Sequence, residues 1–174
     1  RSAYRTKSQA DDFLNQFGNC YWIPEGGSNF LAVKGVIEFA STLDRPYDYL
    51  CCPVGTGGTL SGLIEGTSPE KKIIGFSVLK GGEFLVQEIQ KLSEKSKQRS
   101  NWHLINDYHF GGYAKKTASL NQFISDFNTK HNIPLDPVYT GKMCAGIYDL
   151  LSRGYFARGS TILAIHTGGL QVLR

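Results

Sequence analysis

A chain of 174 residues, 41% of them hydrophobic, is long enough for one domain with a sizeable core. Its 19 basic and 15 acidic side chains leave a formal charge of only +4. The charges are spread along the chain, which argues against nucleic-acid binding. No apolar run is long enough to cross a membrane, and no signal peptide opens the chain. Cys20, Cys51, Cys52 and Cys144 form no CxxC pair, so zinc and redox motifs are not indicated and a reducing, cytoplasmic setting is expected. The opening RSAYRTKSQ has no Met, and we expect a piece of a longer chain.

Taken in order, Thr6 to Phe17 predicts a short helix with Phe13, Leu14 and Phe17 inward. Asn19 to Ile23 predicts a short strand, followed by a Gly-rich turn over Glu25 to Asn29. Ser28 or Asn29 can cap the next helix, with Phe30, Val33, Ile37 and Ala40 on one face. Tyr47 to Cys52 is an apolar run of strand length, and three glycines and two threonines follow between Gly55 and Thr59. A helix is expected from Leu60 to Glu65, a strand from Lys72 to Val78 and an amphipathic helix from Glu83 to Lys97. Trp102 to Ile105 reads as a strand, and Asn106 to Lys116 as a polar, aromatic loop. A helix over Thr117 to His131 turns Leu120, Phe123, Ile124 and Phe127 inward. Thr140 can cap a helix through Met143, Ile147, Leu150 and Leu151, stopped by Gly154. Thr161 to Ile165 is a strand, followed by His166-Thr167-Gly168-Gly169.

Strands alternating with helices predict an α/β fold: a mostly parallel sheet with helices on both faces. Ligands of such sheets bind at the carboxyl ends of the strands, where the three glycine loops are expected to converge. A buried strand feeding a glycine turn and a helix start makes an anion site, because turn N–H groups and the helix dipole point the same way. Gly55 to Thr59 is therefore read as a phosphate cradle, with a purely structural tight turn as the alternative. It is not a Walker loop, and the third glycine of the dinucleotide fingerprint is replaced by Leu60. A nucleotide-binding oxidoreductase would want an acidic residue closing the next strand, where Ser77 and Lys80 stand. No G-x-S-x-G elbow is present for a serine hydrolase. A non-catalytic phosphate-binding module stays open.

Five motifs in order carry a resemblance: IPEGGSN at 23–29, PVGTGGTLSGL at 53–63, HFGGYAK at 109–115, DPVYTGK at 136–142 and LAIHTGG at 163–169. Together they resemble the 1-aminocyclopropane-1-carboxylate deaminase and D-cysteine desulfhydrase family, pyridoxal-phosphate enzymes of the tryptophan-synthase-β fold type. The resemblance implies pyridoxal 5'-phosphate as cofactor, a small amino acid as substrate and a homodimer. It places residues 19–174 in the larger, cofactor-binding domain, incomplete here, and residues 1–18 at the end of the smaller one or in a connecting helix. Gly55, Thr56, Gly57, Gly58 and Thr59 match the phosphate loop, Thr167 the hydroxyl facing the pyridine nitrogen, and Tyr113 a catalytic tyrosine.

In this family pattern, ring-opening deaminases carry Leu in the last motif and a Glu beside the active-site tyrosine. Here Thr167 stands in the last motif, and Gly111 and Gly112 precede Tyr113. Both departures favour D-cysteine desulfhydrase activity, a β-elimination giving pyruvate, sulfide and ammonia, with cyclopropane ring opening as the alternative. The family's Schiff-base lysine has no match here; Lys34, Lys115 and Lys142 lie near the right loops but at other positions. The resemblance therefore implies an enzyme whose residues 1–174 are inactive alone. His109 and His166 are expected to be structural, Ser28 and Asn29 a helix cap, and Lys142 a snorkelling or carbonyl-binding side chain.

Overall fold

The computed structural model describes residues 14–18, 20, 21 and 23–170. Its centre is a four-stranded parallel sheet of β1 (Tyr49–Val54), β2 (Lys72–Ser77), β3 (Trp102–Ile105) and β4 (Ile162–Ala164), ordered β3-β2-β1-β4. The α-helices packed around it are α1 (Phe30–Ser41), α2 (Gly58–Gly66), α3 (Leu85–Leu92), α4 (Lys95–Gln98), α5 (Ala118–His131) and α6 (Thr140–Ser152), with short 3-10 turns at Glu25–Gly27 and Gly82–Phe84.

Every residue of β1 is buried, as expected of a strand covered on both faces. Its alternate residues face two different cores. Leu50, Cys52 and Val54 pack with Leu60, Leu63 and Ile64 of α2 and Leu85 and Ile89 of α3. Tyr49 and Cys51 pack with Met143, Ile147 and Leu150 of α6, against which Phe123, Ile124 and Phe127 of α5 also lean. Pro53 sits inside this central strand at little cost. β4 pairs only with Tyr49 to Cys51, so the missing N–H of Pro53 lies beyond the end of that ladder.

The chain departs from the expected elements in several places. Among Cys20, Tyr21 and Ile23, none is in a strand, and Asn19 and Trp22 lie outside the described residues; Tyr21 and Ile23 are exposed, with no sheet edge beside them. The helix expected over Thr6 to Phe17 is described only from Leu14 to Phe17, which is helical and exposed. Phe30 is 71% exposed rather than inward, because α1 meets α2 through Val33, Val36, Ile37 and Ala40. The helix over Glu83 to Lys97 is two helices. Buried Ser93 donates to Glu65 Oε1 at 2.8 Å, and the same oxygen accepts from the Lys95 N–H at 2.9 Å, so the backbone turns there. Leu151 is exposed, while Met143, Ile147 and Leu150 are buried.

The sheet order fixes where a ligand can sit. From β1 the chain moves outward through β2 to β3, with α2 on one face. It then returns across the other face through α5 and α6 to β4, on the far side of β1. The carboxyl ends of β1 and β4 therefore flank the point where strand order reverses, the usual crevice of an open α/β sheet.

Candidate active site

A cavity of about 330 Å³ opens at that crevice. Its walls come from all three glycine loops: Gly26 and Ser28 from the first, Gly55 to Thr59 from the second, and Thr167 to Gly169 from the third. Gly57 has φ +92°, a left-handed conformation that turns the chain from β1 into α2 and that L side chains resist. No side chain caps α2. Its first-turn N–H groups have no intrahelical partners and face the cavity end with the positive pole of the helix.

Close contact between the loops depends on absent side chains. A Cβ at Gly58 would stand 2.7 Å from Ser28 Oγ, and one at Gly26 would meet the Thr56 hydroxyl. Ser28 Oγ and Thr56 Oγ1 are hydrogen-bonded at 2.6 Å, tying the first loop to the second. The cap of α1 is Asn29, whose Oδ1 accepts from Ala32 N at 2.8 Å, which leaves Ser28 to the cavity. The first loop thus reaches the site without the strand expected before it.

The remaining wall is Tyr139, to which the sequence reading gave no role. A Cβ at Gly55 would lie 3.1 Å from its ring. Asp136, buried at 1% exposure, aims it: the carboxylate accepts from the N–H groups of Val138, Tyr139 and Thr140 and from the Thr140 hydroxyl, at 2.6 to 2.9 Å. Thr140 is therefore the first residue of α6 rather than its cap, and the capping acceptor is the Asp136 side chain. An Asp-Pro pair shortly before a helical pattern is the signal that marks this loop in the sequence.

Tyr113 does not line the cavity; its half-buried ring stands edge-on to Tyr139, with centroids 6.1 Å apart. Lys142, expected to snorkel or to bind a carbonyl, does not snorkel: it is fully buried and donates to the Gly112 carbonyl at 2.7 Å. His109 Nδ1 accepts from the Gly111 N–H, and His166 bonds the Gly168 N–H and the Pro134 carbonyl, so both are loop-shaping. A larger hollow of about 430 Å³ lies at the other end of the sheet, between Tyr49, Lys72, His103 and Tyr155. No glycine turn reaches it. Among the described residues no His, Cys, Asp or Glu cluster suits a metal, and no helix is long and apolar enough to cross a membrane.

Comparison with known proteins shows the family. The family described as "Pyridoxal-phosphate dependent enzyme" matches residues 2–168. The chain belongs to that family. Family relatives include a Pyrococcus horikoshii protein named as a candidate 1-aminocyclopropane-1-carboxylate deaminase, 33% identical over 93% of this chain and 53% of its own. Another is the bifunctional D-cysteine desulfhydrase/1-aminocyclopropane-1-carboxylate deaminase of Arabidopsis thaliana, 31% identical over 86% of this chain and 41% of its own. The crystal structure of a 1-aminocyclopropane-1-carboxylate deaminase homologue superposes with a TM-score of 0.76, at 31% identity, over 94% of this chain and 54% of that one. The processed form of tomato threonine deaminase isoform 2, 15% identical with a TM-score of 0.60, shares the fold. The chain spans about half the length of the curated relatives it matches.

The residues present fit the family's pyridoxal phosphate. A phosphate needs several N–H donors at close range, and an uncapped helix start behind side-chain-free Gly57 and Gly58 supplies them. Among the described residues no lysine lines the cavity.

Proposed function

We propose that this chain is the phosphate-holding part of a pyridoxal-phosphate-dependent lyase that acts on a small amino acid, with D-cysteine desulfhydrase activity. The observation that carries the reading is the convergence of the cradle, Thr167 and Tyr139 on one cavity at the sheet's switch point. Gly55, Thr56, Gly57, Gly58 and Thr59 would hold the cofactor phosphate through backbone N–H groups and hydroxyls. Thr167 would face the pyridine nitrogen, where a neutral hydroxyl leaves that nitrogen without a proton. When bound, the cofactor withdraws electrons from the substrate α-carbon. The protein's part is to orient the amino acid and to move protons; the Tyr139 hydroxyl at the cavity wall would serve there, with Tyr113, edge-on to it, in support.

The preference for sulfide elimination rests on neutral residues. Val138 and Thr140 flank Tyr139, and Gly112 and Ala114 flank Tyr113, so neither tyrosine has the neighbouring carboxylate of the ring-opening pattern. A thiolate is a good leaving group and needs less electron withdrawal than a C–C bond. Ring opening of 1-aminocyclopropane-1-carboxylate is the second reading, because the Arabidopsis relative carries both activities in its name. We place the Schiff-base lysine outside residues 1–174, and a homodimer is the expected assembly.

The test is to supply the gene's full product with D-cysteine and with 1-aminocyclopropane-1-carboxylate, running residues 1–174 in parallel. Sulfide and pyruvate from D-cysteine are expected as the main products, with pyridoxal phosphate binding but no turnover by residues 1–174. Dominant 2-oxobutanoate would establish the second reading. Absence of both products and of cofactor binding would leave a non-catalytic module.

A further inference from the structure

Lys142 is the one buried lysine among the described residues, and the proposed chemistry does not use it. Its ammonium has no carboxylate within ion-pair distance among the described residues, and its hydrogen bond goes to a backbone carbonyl, that of Gly112. Burial holds its pKa below the ordinary lysine value, with the charge of Asp136 pulling the other way. Methionine would fill similar space without the cost of desolvating a charge, so packing alone does not account for this residue.

The loop that it grips is conformationally expensive. Phe110 at φ +49° and Ala114 at φ +56° are non-glycine residues in the left-handed region, on either side of Gly111 and Gly112 at φ +94° and +112°. Such backbone persists only where its surroundings hold it. The Gly112 carbonyl accepts from the Lys115 N–H at 3.1 Å as well as from Lys142, and the Gly112 N–H donates to the His109 carbonyl at 3.0 Å. These bonds within the loop shape the turn; the bond from Lys142 ties it to α6. The next residue is Tyr113, edge-on to Tyr139. Tyr139 and Lys142 stand three residues apart at the start of α6. One helix start therefore supplies both the cavity wall and the clamp on the second tyrosine's loop.

We infer that Lys142 is a positioning residue: it clamps the Gly112 carbonyl so that the 109–115 loop delivers Tyr113 against Tyr139 beside the cavity. The role of the tyrosines rests on the proposed function; the clamp itself does not.

The test compares the cofactor-loaded full-length protein as wild type, Lys142→Met and Lys142→Gln. Deuterium exchange of the peptide spanning 109–115 is followed together with kcat and KM. In Lys142→Met, loop amides should exchange about tenfold faster or more, with global unfolding unchanged or later. Pyridoxal phosphate loading should hold, because the cradle lies on other loops, while kcat falls more than KM changes. Lys142→Gln keeps an N–H donor and should restore part of the protection and part of kcat. Unchanged loop exchange in folded Lys142→Met overturns the clamp, and so does a loosened loop with unchanged kcat. Failure of both variants to fold also overturns it, by assigning Lys142 to the fold itself. A wild type with no turnover removes the proposed function instead, and loop exchange then judges the clamp alone.

Discussion

Asp136 shapes the rim of the cavity more than any other single side chain. Its two oxygens satisfy three backbone N–H groups and one hydroxyl, and its Cγ would lie 3.1 Å from a Cβ at Gly169, so it also packs against the third loop. In Asp136→Asn, one acceptor becomes an NH2 group facing N–H donors. A buried polar group left unpaired costs about 1–3 kcal/mol. With more than one bond disturbed, we expect a loss of about 2–4 kcal/mol in urea unfolding, together with weaker cofactor binding as Tyr139 loses its anchor. A loss below about 0.5 kcal/mol, the level of an ordinary surface change, would show that the carboxylate is not the organiser of this loop. The sequence showed the motif that contains Asp136 but not its role, since four contacts from one carboxylate depend on how the turn closes. Gly55 to Thr59 was legible as a glycine turn between a strand and a helix, because the turn is made by neighbouring residues of the chain.

Among the elements, the tightest contact is α1 against α2. A Cβ at Gly62 would come within 3.0 Å of the Val33 carbonyl and closer still to the Val36 side chain, and one at Gly66 would stand 2.7 Å from the Ala40 Cβ. These small residues one turn apart let the helices approach backbone to backbone. Gly62→Ala gains up to about 1 kcal/mol in helix propensity, but overpacking a fixed interface costs about 1–3 kcal/mol. The clash is therefore expected to win. At Gly35 of α1, a Cβ would meet nothing within 4 Å, and Gly35→Ala should stabilise by about 0.5–1 kcal/mol. Thermal unfolding of the two variants should shift in opposite directions, and a shift of Gly62→Ala to higher temperature would refute the close-contact argument. Helical periodicity located α1, α5 and α6 but not the break at Ser93. That break is made by Glu65, a partner 28 residues away, and no local pattern encodes it. The exposure of Phe30 escaped for a similar reason: periodicity gives an apolar face, whereas Gly62 and Gly66 decide which part of it docks.

Across the whole molecule, the alternation of strands and helices was enough to read a parallel sheet and to expect a crevice at its carboxyl edge, where the cavity lies. The order β3-β2-β1-β4 was not legible, since it depends on which side of β1 the last strand returns to. That order makes β1 central and buries its two thiols. Cys51, Cys52 and Cys144 are buried and Cys20 is exposed, so at pH 8 a bulky thiol reagent should label Cys20 rapidly and the other three only on unfolding. The same burial predicts the alkaline limit of the fold. Burial pushes Cys52 up to about 12 and Cys144 up to about 11, and drives Cys51 upward as well, from an ordinary value of 9.0. Above pH 9 the unfolded thiols lose protons that the folded ones keep, so the native state binds more protons and stability falls as pH rises. Lys142 acts in the opposite sense: its lowered pKa lets the folded state shed a proton first, which favours folding as pH approaches 10.5. Three thiols shifted one way outweigh one amine shifted the other, so the net slope between pH 9 and pH 11 should be downward. Urea midpoints measured across that range test this, and Cys52→Ala should flatten the fall. A midpoint that stays level or rises would mean that the thiols in β1 are not sealed by the helices on either face.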